Sequence, residues 1–341
     1  MIVMGPMSPI LSVLDPSPVF EGRTARAALL ETRALAEATD QMGYRSYWVQ
    51  EHHNSPSFAG TAPEILIADL ATRTERLKIG SGGVMLPNYS PLKVAEQFAM
   101  LSALHPGRIE LGLGRATGAD PRASAALLGP GAQEFPQMLN LLLGWLLDTS
   151  NELAIPANHP AHGIFANPQG HRPDVWMLSS SPQSAAFAGG MGLKLAFADF
   201  LSPGGAGAAI AAYRKSFQPS PFNAEPYAAV GLVALAADRD AEAHELAATL
   251  RAWSLGLSFR QGAAFQSVEN ATATLARADA DAVAATRSRA IVGDGHIVAT
   301  GLKAAAEEAG ADELFILSVA DTTEARLRSY ELIADAFGAL V

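Results

Sequence analysis

Short apolar runs bounded by turn residues alternate along this chain with longer segments whose apolar positions recur every three to four residues. That is the pattern of strands exchanging with helices. Residues 9–14 form the first run, which stops at Asp15-Pro16-Ser17-Pro18, a turn signal with two prolines. A helix is predicted from about Thr24, because Ala25, Ala28, Leu29, Leu35, Ala36 and Met42 fall within an arc of roughly 140° on a helical wheel. Gly43 interrupts it, and Tyr44, Tyr47, Trp48 and Val49 are the aromatic and β-branched types of a second strand.

The exchange continues with a helix over 62–74 that carries Pro63 at its start, a strand over 77–87, a helix over 92–104 and a strand over 108–113. Residues 116–135, rich in Gly, Pro and Ala, read as an irregular loop before a helix over 137–147. The pattern is lost over 148–173, the expected site of an insertion. It resumes with strands over 174–178, 193–198 and 228–236, with helices over 183–191 and 207–217 between them. After an alanine-rich helix from Asp240, residues 256–290 show no clean repeat and read as a lid or a broken helical insertion. A helix over 303–309, an eighth strand over 313–319 and a last helix over 322–338 close the chain. Asp321 with Glu324 resembles a capping box there, and Leu327, Tyr330, Ala334 and Phe337 form the expected buried stripe.

Eight strands, each followed by a helix, favour one α/β domain over residues 1–341, a (β/α)8 TIM barrel with insertions after strands four and seven. An open parallel sheet also fits the periodicity. Composition narrows the function: 49% hydrophobic and 17% charged residues describe a core-rich globular protein, and a formal charge of −10 without a basic stripe disfavours nucleic acid. The absence of cysteine removes disulfides, cysteine-zinc sites, iron–sulfur clusters and thiol nucleophiles. No apolar run approaches a membrane span, and the start lacks the features of a signal peptide, so a cytoplasmic location is expected.

In a parallel α/β protein, chemistry sits at the carboxyl ends of the strands. Four successive strand ends there carry residues suited to one ligand: Glu51-His52-His53-Asn54, Gly82-Gly83, Gly114-Arg115 and Ser179-Ser180-Ser181. Arg115 can clamp a phosphate, and serines with backbone amides at a helix start form an anion site, which together suggest a phosphorylated cofactor. Each group also has a plainer reading, as surface histidines, a turn, a rim salt bridge and a helix cap. Glu51, His52 and His53 on an extended segment point to alternate faces, so no metal site is expected. A serine hydrolase lacks its G-x-S-x-G elbow, and Gly112-x-Gly114 is an incomplete dinucleotide fingerprint.

The stretches WVQEHHN, IGSGGVMLPNYSPLKVAEQF, HPGRIELGLGRATGAD and VWMLSSSPQSA together resemble the bacterial luciferase-like flavin-dependent monooxygenases, as does ADELFILSV with RLRSYELIADAFG near the end. The resemblance implies a (β/α)8 barrel that binds FMN at its carboxyl rim and uses reduced flavin and oxygen on a small organic substrate, with the reduced flavin supplied by a separate reductase. It implies His52 as the catalytic histidine, Gly82-Gly83 as a cis peptide under the isoalloxazine, and Arg115 on the phosphate. Ser179, Ser180 and Ser181 with Gln183 match the phosphate loop, Glu51 a polar residue near the flavin, and Leu14 and Leu178 complete the implied cofactor-binding set. A homodimer is implied too, with Ile65, Leu66 and Ile67 either at its interface or in the core. Ser179, Asp199-Phe200 and Gly293-Asp294-Gly295-His296 depart from the family pattern. A deazaflavin-dependent hydride-transfer enzyme, or a flavin-binding protein without catalysis, remains as an alternative.

Overall fold

The computed structural model describes residues 9–127, 133–147, 155, 158–258, 263–287 and 290–338. Parts of the expected insertion (148–154 and 156–157) and of the expected lid (259–262 and 288–289) lie outside the described residues, as do both ends of the chain.

The strands are β1 (Ile10–Asp15), β2 (Ser46–Val49), β3 (Lys78–Met85), β4 (Ile109–Gly114), β5 (Asp174–Ser179), β6 (Lys194–Ala198), β7 (Ala228–Ala237), β8 (Ile291–Asp294) and β9 (Glu313–Leu317). All pair in parallel, and β1 to β7 with β9 close into an eight-stranded barrel through the β6–β7, β7–β9 and β9–β1 pairings. The helices are α1 (Ala25–Gln41), α2 (Pro63–Ala71), α3 (Pro91–Leu104), α4 (Pro121–Leu127), α5 (Phe135–Leu147), α6 (Pro182–Gly190) and α7 (Ala206–Ser216). They continue as α8 (Asp240–Leu246), α9 (Ala248–Ser258), α10 (Val268–Arg277), α11 (Ala280–Arg287), α12 (Gly295–Ala309) and α13 (Thr323–Phe337). The chain is therefore a (β/α)8 TIM barrel, and the open sheet is excluded.

Several elements differ from the sequence expectation. The barrel closes on the ninth strand of the chain, because β8 pairs with the upper half of the ten-residue β7, beyond the part of β7 that β9 holds. A four-residue strand with one partner carries too few residues for a period to show. Within the region expected to be irregular, α4 forms because Asp120 accepts hydrogen bonds from the amides of Arg122 and Ala123. The expected lid or broken helical insertion is helical over most of its described residues, with α9, α10 and α11 following α8, and α12 starts at Gly295 because the Asp294 carboxylate caps the amide of Ile297.

The last helix is capped by Thr322, whose hydroxyl accepts from the amide of Ala325; the Asp321 carboxylate instead takes the amide of Val268. Its buried face is Arg326, Ser329, Tyr330, Ile333 and Ala334, with Leu327 only partly buried. On α1, likewise, Ala25 is exposed while Glu31, Thr32, Thr39 and Asp40 are buried.

A polar network buries Arg326 on α13 and Glu31 and Thr32 on α1. Arg326 is fully buried and donates to Asp15 Oδ1 at 2.9 Å, Glu31 Oε1 at 2.7 Å and the Ser318 carbonyl at 3.0 Å. Asp15 also accepts from the Thr32 hydroxyl (2.6 Å), the Tyr47 hydroxyl (2.7 Å) and the amide of Ser17 (3.0 Å). Burial pushes the Asp15 carboxyl up, but Arg326 and the two hydroxyls outweigh it, so the group sits below the ordinary carboxylate range. Removing one partner leaves an uncompensated buried charge. Arg326→Ala is expected to lower the unfolding free energy by about 3–5 kcal/mol, read as a reduced urea midpoint. A loss under about 1 kcal/mol would mean the network is dispensable.

Candidate active site

At the end of β2, His52 enters the rim. Its amide donates to the Gly60 carbonyl at 2.9 Å, and its ring stacks on Phe58 with centroids 4.3 Å apart. Burial, with His53 as a second cause, pushes its pKa down to about 4, so the imidazole is neutral at pH 7. Its Nδ1 is buried without a hydrogen-bond partner among the described residues.

Glu51 points elsewhere. Its buried carboxylate accepts from the amide of Met85 (2.9 Å), from Asn88 Nδ2 (3.1 Å) and from His53 Nε2 (2.7 Å), so it ties the carboxyl end of β3 to the His52–His53 turn. His53 is held from its backbone as well, its amide donating to the Gly118 carbonyl at 2.8 Å. Asn54, with a left-handed φ of 51°, donates to Asp120 at 2.6 Å and so joins the β2 and β4 loops.

The floor of the rim is built by glycine. The Gly82-Gly83 peptide bond is cis. A Cβ on Gly82 would lie 2.6 Å from Leu14 Cδ1, and one on Gly83 would lie 2.7 Å from the Gly112 carbonyl oxygen and 3.1 Å from Leu178 Cδ1. Leu14, Gly82 and Leu178 line one shallow cavity of about 30 Å³ with Trp48 and Phe315. Trp48 is fixed from below, because its indole donates to Glu110 Oε2 at 2.7 Å inside the barrel.

Arg115 follows the end of β4, exposed, and makes no hydrogen bond or ion pair among the described residues. On the neighbouring strand, β5, Ser179 ends the run and Ser181 caps α6, its hydroxyl accepting from the amide of Ser184. The Ser179 hydroxyl is used internally, bonded to the Ser181 carbonyl (2.9 Å) and to the Ser184 hydroxyl (2.6 Å). Ser180 and Gln183 are exposed at the start of that helix. The expected residues thus gather on four adjacent strand ends, β2 to β5, joined at one edge by Leu14 of β1.

Sequence reasoning missed the aromatic wall above them. Phe58, Trp253 and Phe265 join His52 around a chamber of about 330 Å³ lined also by residues of α8, α9 and α11, with Phe200 and Leu317 below. Phe58 and Phe265 sit in stretches with no period, and Trp253 in a helix whose apolar face turns inward to this chamber. No periodic signal marks such residues; only the isolated aromatics in otherwise small, polar segments do.

Residues 11–313 match the family profile described as luciferase-like monooxygenase. The chain belongs to the luciferase-like monooxygenase family. It is 39% identical over 335 residues to YwcH of Bacillus subtilis (strain 168), spanning 96% of this chain and 98% of that one. It is 37% identical over 332 residues to a luciferase-like monooxygenase of Escherichia coli (strain K12), spanning 95% and 96%. An N-acetyl-S-alkylcysteine monooxygenase of Bacillus subtilis is 40% identical over 196 residues, 56% of this chain and 57% of its own. Among solved structures, apo-MsnO8 superposes with a TM-score of 0.89 at 35% identity, covering 97% of this chain and 98% of its own. More distant structures share the fold alone. They include an FMN complex of the oxygenating constituent of 3,6-diketocamphane monooxygenase (TM-score 0.71, 20% identity, 96% and 97% covered) and an F420-dependent secondary alcohol dehydrogenase (0.65, 15%, 98% and 100%).

The His52 environment carries a pH signature for this luciferase-like monooxygenase. The unfolded imidazole takes up a proton near pH 6.5, whereas the folded one resists until about 4, so in that window the unfolded state binds more protons and stability rises with pH. On acidification from pH 7 to 4, this one group is expected to remove up to ~3 kcal/mol of unfolding free energy. Urea titrations of the wild type and His52→Gln at both pH values check it: the wild type should lose more than the variant. Equal losses would place His52 in a solvated setting.

Proposed function

We propose that this chain is the oxygenating component of a two-component monooxygenase that takes reduced FMN from a separate reductase and oxygenates a small organic molecule. The observation that carries the reading is the rim itself. A neutral, half-buried imidazole faces an apolar chamber, and on the next three strands stand a glycine floor, an unpartnered guanidinium and a serine-capped helix start.

These residues fit FMN. Arg115 and the first turn of α6, with Ser180, Ser181 and Gln183, offer charge-assisted and backbone donors to a phosphate dianion. The side-chain-free backbone at Gly82-Gly83, flanked by Leu14 and Leu178, offers a flat apolar seat to a ring system. When bound, reduced flavin supplies the two electrons that divide dioxygen, one oxygen atom passing to the substrate and the other leaving as water. His52, neutral and half enclosed by Phe58, would hold and move a proton through its cavity-facing side. Glu51 would act through His53 and the Met85 amide, keeping the β2 and β3 ends in register. The lid helices would keep bulk water from the chamber. Exposed Ile65 on α2, with Met100 and Leu104 on α3, supports self-association through those helices, whereas Ile67 is core.

The deciding experiment mixes the chain, loaded with reduced FMN, with oxygenated buffer and follows flavin oxidation. A course clearly altered from that of free reduced FMN is expected, and oxidation at the protein-free rate would overturn the reading. Anaerobic titration with reduced F420 in parallel exposes the deazaflavin alternative, which tighter F420 than FMN binding would favour. Arg115→Ala is expected to weaken FMN binding by about tenfold or more, and Ser181→Ala by less, measured by flavin fluorescence. His52→Ala is expected to leave FMN affinity unchanged while lowering kcat by about 100-fold. Unaltered turnover would remove His52 from the mechanism.

A further inference from the structure

The chamber beneath the lid limits what can be oxygenated. Its volume is about 330 Å³, and its wall is dominated by aromatic and aliphatic side chains. An apolar cavity of about 150 Å³ holds one benzene, so this one has room for about two fused rings. The rings that face it form a continuous set. His52 stacks on Phe58, Phe58 meets Trp253 edge-on at 5.5 Å and Phe265 at 5.8 Å, and Trp253 stacks on Phe265 at 5.1 Å and 20°.

The position of the wall is set by hydrogen bonds. Trp253 Nε1 donates to the Ser57 hydroxyl at 2.9 Å, and that hydroxyl donates to the Ala263 carbonyl at 2.5 Å. The backbone of Phe265 pairs with Val19 and Glu21 on the β1 loop. Trp253 is therefore held flat against Phe265, the orientation in which a planar ligand can lie along it.

Charge is sparse. No carboxylate stands among the lining residues, so a cationic substrate would lose its hydration without a counter-ion. The basic side chains in the lining are His244, largely solvated beside Asp240, and Arg251, whose guanidinium is directed to the His244 and Ala247 carbonyls. Below, Phe200 lines both this chamber and the shallow cavity at the barrel mouth, and a Cβ on Gly231 would come within 3.0 Å of its ring. Phe200 is the partition between the two spaces.

From this geometry we infer that the chamber selects an uncharged, planar substrate of about two fused rings, with Trp253 as its stacking wall and Phe200 as the residue that sets its depth. The inference rests on the monooxygenase reading for the chemistry that follows binding, but the selection itself belongs to the flavin-free chain.

The test is calorimetric titration of the flavin-free protein with phenol, naphthol and phenanthrol, and with naphthylmethylammonium and naphthoate as charged analogues. Naphthol is expected to bind about tenfold tighter than phenol, with phenanthrol no tighter than naphthol and both ions at least about tenfold weaker. Trp253→Ala should lose about tenfold for naphthol, whereas Trp253→Phe, which keeps a ring, should stay within about threefold. Phe200→Ala should raise phenanthrol affinity about tenfold and leave phenol unchanged. A flat size series, or an ion that binds as tightly as naphthol, overturns the inference in the wild type alone, even if a variant fails to fold. Because no flavin is present, that failure leaves the monooxygenase reading standing. Loss of oxygen chemistry with the size series intact would sink only the latter.

Discussion

One buried guanidinium holds the barrel's seam. Arg326, on the last helix, is shared between Asp15 at the carboxyl end of the first strand and Glu31 on the first helix. A barrel made of consecutive β-α units has one place where the two ends of the chain must meet, and here that junction is ionic. Hydrophobic packing alone does not fix direction, but a planar fork matched to two carboxylates and a carbonyl does. The network also sets the chain that leaves β1. Ser17, at a left-handed φ of 50°, is pinned through Asp15 and Thr32, and so Pro16 is placed on the wall of the chamber.

A second constraint runs through the barrel interior. Arg45 bonds Glu313 at the foot, Glu110 accepts the Trp48 indole, and Trp48 in turn lies under Gly82. Burial, followed by repulsion from Glu110, pushes the Glu313 carboxyl up, and Arg45 and the hydroxyls of Ser12 and Tyr227 counter it. The polar foot therefore carries an aromatic layer, which carries the glycine floor. The geometry at the rim is inherited from charges at the opposite end of the barrel, and the glycine floor can remain apolar because the ionic requirements are met below.

Much of this was legible in the chain. Most strands stood out because they are short apolar runs stopped by Gly, Pro, Asp or another polar residue, and the candidate site residues stood out because they follow those stops. The helices of the shell were less legible where their buried face is polar. On α1, Glu31, Thr32 and Asp40 look like a solvent face until their partners are known, and Arg326 lies 311 residues from Asp15 in sequence. No local period encodes such a pairing. Asp40 shows the same thing at shorter range: its carboxylate caps the amides of Glu75, Arg76 and Leu77 and so positions the entry to β3. The aromatic chamber was the least legible part, since Phe20, Phe58, Trp253 and Phe265 come from separate loops and a lid helix and meet only in the folded barrel. By contrast, the serine run and Arg115 could be placed side by side because adjacent strands must bring their ends together.

The claim on which the rest of this account turns is that one flavin occupies the rim between His52, Gly82-Gly83 and the start of α6. A crystal structure of the chain with FMN tests it most directly. The phosphate is expected on Arg115 and the first turn of α6, the ring system against the Gly82-Gly83 backbone, and His52 within reach of that ring. A phosphate bound away from Arg115 and α6, or a ring seated outside the barrel mouth, would contradict it.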